Sequence, residues 1–571
     1  MKLILRISAI LSLMLGCDTG EKEQSIQADL LIRGASIYTL NPEVVQPEAV
    51  AIKSDTILFV GSLKESEQFL GSETRVIELK GNTLVPGMIE GHAHIMGVGY
   101  NLLNVDLRAA RSYEEVVEMV AERAKDTPKG QWILGRGWHQ DKWDTQPESR
   151  MKGFPTHDLL SERVPDHPVW LDHTSGHLAL GNKKAMEMAG IDGDVQQPDG
   201  GEVFMDLNNE PTGIFNETAQ SLVSRIIPEA SKESDVQALK LALKACFENG
   251  IVGLHQAGSG PDHISLYKEF AAKNELKLRL YVMLNGRDST LLNAYFRKGR
   301  EENLYDNQLT IRAVKLYADG ALGSRGAWLL KEYSDAPGVR GHNVTPVSTI
   351  EEVTAKAYKA GFQVCVHAIG DRANREVLDL YERTFKLYPE NAPKEPRFRI
   401  EHAQHFHPND LPRFAKLGVI PSMQAIHMSS DRPWAIFRLG RKRINGGAYM
   451  WQDLLQSGAK IVNGTDAPVE PLNLLAGFYA SVSRRTLKGK PKGGYEPDQK
   501  MTREQALRSF TLDAAYGAFL EDQTGSIEVG KWADFTVLNK DIMTIDEEEI
   551  LNTEVVMTII GGEVVFDKMA E

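Results

Sequence analysis

Thr83-Leu84-Val85-Pro86-Gly87-Met88-Ile89-Glu90-Gly91-His92-Ala93-His94 is an apolar, strand-like run that ends in two imidazoles. Alternate residues of a strand point the same way, so both rings can reach one metal ion. Among 15 histidines such a pair also arises by chance, so the reading turns on the rest of the chain. Three later runs end in ligand-type residues: 362–367 at His367, 398–402 at His402 and 461–466 at Asp466. A fourth, 311–320, carries Lys315 where an apolar side chain is expected.

Each run is short, apolar and rich in β-branched residues, and each is followed by a helix-like stretch such as 348–360 or 372–388. Counting onward from the strand that ends at His94 gives seven more, at 250–256, 276–284, 310–316, 362–367, 397–402, 419–424 and 460–466. Eight parallel strands with intervening helices predict an α/β fold, a (β/α)8 TIM-like barrel, whose active sites lie at the C-terminal strand ends. The ligand-type residues all fall at those ends.

The 571 residues, 42% apolar, suffice for a barrel and a second domain, because single cores rarely grow beyond about 250–300 residues. The formal net charge of −13 argues against nucleic acid as a partner. Short strands broken by turns in 28–84 and again in 516–571 predict one β-sandwich domain built from both chain ends, since neither half has enough strands to bury a core alone. Between them 85–515 forms the barrel. It carries a long insertion after the first strand, at about 100–249, read as a lid that excludes water and shapes a substrate pocket.

Residues 1–27 stand outside the fold. Lys2 and Arg6 precede an apolar run, 7–15, too short to span a bilayer. Met14-Leu15-Gly16-Cys17 then resembles a bacterial lipobox, with Leu15 in place of the usual small residue, and a polar tether follows. The expectation is an exported lipoprotein, periplasmic or on the cell surface, anchored through a lipid on Cys17. A plain signal peptide, or an uncleaved anchor with a chance cysteine, is the alternative. Cys246 and Cys365 read as small buried hydrophobes.

Six ordered motifs carry a wider resemblance: 86–94, 314–325 (Val-Lys-Leu-Tyr-Ala-Asp-Gly-Ala-Leu-Gly-Ser-Arg), 366–371 (Val-His-Ala-Ile-Gly-Asp), 400–404 (Ile-Glu-His-Ala-Gln), 464–468 (Gly-Thr-Asp-Ala-Pro) and 525–535. With these, residues 28–571 resemble the amidohydrolase superfamily (amidohydrolase family 3), in the YtcJ-like branch that includes N-substituted formamide deformylases. The imidazole and carboxylate set suits one or two divalent ions, with Zn²⁺ expected. His92 and His94 would hold one ion, and His367 and His402 the other. The resemblance implies that Lys315 is carboxylated and bridges the ions; alternatively it is unmodified, pairs with Asp319 or Asp466, and leaves a mononuclear site.

Asp466 is the expected general base and a metal ligand, with a turn-forming aspartate before Pro468 as the bland alternative. For substrate polarisation or positioning the candidates are His177 first, then His173, Trp138 and His427; each can equally brace a core or loop. Arg325 can meet a substrate carboxylate or brace its loop. The implied activity is hydrolysis of a non-peptide carbon–nitrogen bond in a small amide, an N-substituted formamide or N-acyl amine, by a hydroxide held on the metal. An esterase, a cyclic amidase, a deaminase and a non-catalytic binding lipoprotein remain alternatives. The partners expected are a small-molecule substrate, the membrane through the lipid anchor, and a second copy in a homodimer.

Overall fold

A computed structural model describes residues 26–140, 143–174, 178–198, 201–228, 231–389 and 395–570. The signal-like segment with Cys17 and the candidate His177 lie outside the described residues. Eight parallel strands form the expected barrel: β1 (Met88–Ala93), β2 (Ile251–Ser259), β3 (Arg279–Asn285), β4 (Leu309–Tyr317), β5 (Gln363–Ala368), β6 (Arg399–His402), β7 (Ile420–Met423) and β8 (Val462–Asn463). Each pairs in parallel with its neighbour in chain order from β1 through β8. The helices Val347–Lys359 and Asp371–Leu387 stand where the sequence placed them. In the second, Val377, Tyr381 and Thr384 recur at helical spacing on the buried face.

The opening run is not one strand. Thr83–Pro86 belongs to a separate five-stranded sheet, and β1 starts at Met88. Pro86 has no amide to donate, and Gly87 passes so close to Val252 that a Cβ would sit 2.4 Å from its side chain. The chain breaks there and changes sheet.

That five-stranded sheet orders Ser36–Ile37, Thr83–Pro86, Phe535–Leu538, Val555–Ile560 and Glu563–Asp567 side by side, so it joins the two chain ends. The N-terminal part also makes a four-stranded sheet of its own, Thr56–Gly61, Ala49–Lys53, Leu30–Arg33 and Arg75–Glu78. One apolar cluster contains Ile32, Val50 and Ile52 of this sheet together with Phe535, Val537 and Ile559 of the other. Arg279 of β3 ties the barrel to it through Asp534, at 3.0 and 3.2 Å.

Between β1 and β2 the chain builds a six-stranded sheet, from Gly201–Met205 at one edge to Val105–Asp106 at the other. It has two apolar clusters of its own, one around Val120, Trp138 and Leu171 and one around Trp170 and Phe215. The stretch after β1 is thus a structured unit and not an extended loop.

Between β8 and β1 a buried side chain takes over from the backbone ladder. Glu90 Oε1 accepts from the His92 and Thr465 amides, both at 2.9 Å, and Oε2 accepts from Thr465 Oγ1 at 2.7 Å. The Asp466 amide then donates to the His92 carbonyl at 2.8 Å. This seam leaves no room for a methyl group: a Cβ on Gly464 would lie 2.2 Å from Glu90 Oε1 and 2.6 Å from the His92 nitrogen.

Gly464→Ala is therefore expected to destabilise the protein by about 1–3 kcal/mol, the usual cost of overpacking a rigid site, and to lower its unfolding midpoint. Gly446→Ala, within the helix Arg441–Gly447 and with a Cβ that would meet only Pro408 at 3.9 Å, is expected not to lower the midpoint. Equal midpoints in calorimetry for the two variants would show that the seam yields without cost.

Candidate metal centre

Strand alternation aims Glu90 and His92 to one side of β1, and His94 follows as the first residue past its end, capping the helix Ile95–Leu103. His92 is wholly buried, whereas the His94 side chain is 34% exposed, at the mouth of the barrel. Asp466, just past β8, adopts a left-handed backbone (φ 59°) that sits beside both. Its Oδ1 lies 3.3 Å from His94 Nε2 and 3.5 Å from His92 Nε2, and it is buried with no hydrogen-bond partner among the described residues.

Ligand atoms of His92, His94 and Asp466 all fall within 4.8 Å of one another. A buried, unpartnered carboxylate oxygen facing two imidazole nitrogens fits a divalent cation, which would satisfy all three. The protonation states agree with this. Burial and the nearby Lys315 push His92 down to about 4, so the ring is in its neutral, ligating form. Although burial alone would raise Asp466, the imidazoles of His94, His92 and His402 hold its carboxyl well below the usual range.

The other expected ligands gather on the same side. The rings of His92 and His402 are 5.0 Å apart and those of His402 and His367 are 4.3 Å apart, centroid to centroid. Burial pushes His367 down to about 3 and His402 well below its usual value. His402 Nδ1 faces Gln424 Oε1 at 2.8 Å, which leaves Nε2 for an ion. Lys315, buried at the end of β4, places its amine 3.3 Å from His92 Nε2, and burial lowers its pKa. Asp319 is not its counter-ion: its carboxylate accepts from the backbone amides of Trp328, Ile369 and Gly370 at 2.8–2.9 Å.

One supporting layer was missed in the sequence. His92 Nδ1 is in short contact with Glu401 Oε2, and Glu401 is clasped by Arg399 through Nε at 2.7 Å and Nη2 at 2.9 Å. Against the upward push of burial, Arg399 and His92 hold Glu401 well below the usual carboxylate range. Arg399 also donates to the Gly91 carbonyl, to Ser422 Oγ and to Nδ1 of His255, which burial and Arg399 itself keep neutral. The outcome is a fixed tautomer: with Nδ1–H committed to Glu401, only Nε2 of His92 can ligate. The signal was the alternation of Arg399 and Glu401 along the strand that ends at His402, which aims both charges into the barrel.

The candidate substrate residues occupy varied settings. Trp138 is buried in the insertion's own core, where its Nε1 donates to the Leu171 carbonyl at 2.8 Å and its ring meets His173 edge-on at 4.8 Å. His173 Nε2 faces Gln140 Oε1 at 3.2 Å. His427 is buried with its ring stacked 6.0 Å from His402, and its Nε2 has no partner among the described residues. Arg325 spends its guanidinium on Asp335, at 2.9 and 3.2 Å, bracing the loop after β4.

Residues 75–566 match the model of the amidohydrolase family. A Bacillus subtilis protein named as the amidohydrolase YtcJ is 32% identical over 542 residues, which cover 94% of this chain and 99% of that one. The N-substituted formamide deformylase of Arthrobacter pascens is 24% identical over 551 residues, 95% and 98% of the two chains. Among solved structures, an uncharacterized metal-dependent hydrolase from Pyrococcus horikoshii superposes with a TM-score of 0.74 at 27% identity, over 91% of this chain and 99% of that one.

Removing the partner that fixes a ligating histidine typically costs about 10–100-fold in metal affinity. Glu401→Ala is expected to lose divalent-ion affinity by that factor in a chelator competition titration. Cys246→Ala, a buried site on the helix Lys232–Glu248, serves as the comparison and should titrate like the parent. Unchanged affinity in Glu401→Ala would mean that Glu401 does not orient His92.

Proposed function

The chain belongs to the amidohydrolase family, and we propose that within it this metal-dependent hydrolase cleaves a non-peptide carbon–nitrogen bond in a small amide of the N-substituted formamide or N-acyl amine type. The observation that carries this reading is the convergence of His92 and His94 on Oδ1 of Asp466, which has no hydrogen-bond partner among the described residues, at the barrel mouth. The formamide deformylase among the relatives supports the substrate class.

A divalent cation, with Zn²⁺ favoured by the donor set, supplies Lewis-acid polarisation of the amide carbonyl and acidifies water when bound. His92, His94, His367 and His402 would hold it, together with Asp466. Lys315, its amine made less basic by burial, would add carbamate oxygens to the donor set if carboxylated by CO₂. Asp466 stays ionised, so it can take the proton of the attacking water and pass it to the departing nitrogen. We read the two end sheets as a sandwich with a structural role, and the six-stranded insertion as the unit that shapes the substrate pocket.

A panel of N-substituted formamides, N-acyl amines and esters tests the substrate class, with amide turnover expected; turnover of esters alone would overturn it. On an accepted substrate, Asp466→Asn is expected to lower kcat by about 10²–10⁴-fold while KM changes much less. Turnover within a few-fold of the parent would remove Asp466 from the proton transfer.

A further inference from the structure

Away from the metal ligands, the loops that follow β4 to β7 enclose a second recess, a cavity of about 770 Å³. Its floor is apolar, built from Leu330, Phe406 and Pro408. Its rim is cationic: Lys331, Arg441, Lys442 and Arg443 line it against a single carboxylate, Asp371. On a chain of net charge −13 this is a local reversal of sign.

Of the four rim cations only Arg443 faces an acid, Asp371, among the described residues. Arg443 donates to the neutral oxygens of Lys331, Glu332 and Ser334, at 2.8–3.2 Å, which fixes its position without cancelling its charge. Among the described residues no carboxylate pairs with Lys331, Arg441 or Lys442, and the adjoining Glu332 is engaged by Arg340 at 3.6 Å. Asp371 accepts from the Leu330 amide at 2.8 Å and opens the helix Asp371–Leu387, where the dipole offsets its charge. A second hollow, about 540 Å³, shares Lys331, Arg441, Lys442 and Arg443, so the cations stand between two openings.

An apolar recess of this size with a few convergent charges has the make-up of a ligand pocket. A small inorganic anion would leave the floor empty, and a neutral chain would leave the rim unpaired. We infer that the cavity binds a single-chain amphiphile with an anionic head, of the fatty-carboxylate class: the tail on Leu330, Phe406 and Pro408, the head among Lys331, Arg441 and Lys442. The inference does not rest on the hydrolase reading, because none of these side chains belongs to the metal centre.

Calorimetric titration of the full chain with dodecanoate, dodecanol and acetate tests it. Saturable binding of dodecanoate is expected, weaker by on the order of tenfold for dodecanol and for the exposed-site variants R441S/K442S and K331S, the size of a lost charge pair at a partly desolvated rim. Acetate should not saturate. Circular dichroism identifies folded variants. No saturable dodecanoate binding, equal affinity for dodecanol, or parent-like affinity in folded R441S/K442S and K331S would each overturn the assignment.

Discussion

Everything at the barrel's centre depends on burying the Arg399 guanidinium. A cation with no access to water is tolerable only when paired and fully hydrogen-bonded. Arg399 meets that demand through Glu401 on its own strand, Gly91 on β1, His255 on β2 and Ser422 on β7. One side chain thereby pins four strands around the interior and holds Glu401 ionised. Glu401 in turn sets which nitrogen of His92 faces the mouth. Packing and the placement of the candidate ligands are one network here, so a change made to stabilise the core would also move the candidate metal site.

The same economy governs the closing seam. A parallel barrel needs its last strand to meet its first, yet β8 is two residues long and offers little ladder. Glu90 supplies the missing acceptors from beneath, and the close-packed Gly464 and left-handed Asp466 that follow bring the carboxylate up beside His92 and His94. The left-handed backbone at Asp466 is a local cost borne where the ligand must point.

Much of this was legible in the sequence, and the reasons are physical. Most of the barrel strands show as short runs rich in apolar and β-branched residues because both of their faces are buried. The ligand-type residues that end the first, fifth, sixth and eighth runs gather at one mouth because side-chain direction in a strand follows residue count. The break at Pro86 and Gly87 was hidden, since the apolar pattern runs through it unchanged while the chain changes sheet. The four-stranded sheet and the six-stranded insertion depend on long-range pairings that local periodicity does not encode. Glu401 and Arg399 stood inside a legible strand, but their roles depend on what lies across the barrel. The cationic recess is drawn from four separate segments, those that follow β4, β5, β6 and β7, and no window of sequence contains it.

The central claim is that four histidines, Lys315 and Asp466 form one metal centre. Elemental analysis of the purified protein beside Lys315→Ala tests this most directly. The account predicts up to two divalent ions per chain in the parent and the loss of at least one, with most of the activity, in the variant. One tightly held ion in both proteins would contradict the bridging lysine, and an active parent holding no ion would contradict the metal centre itself.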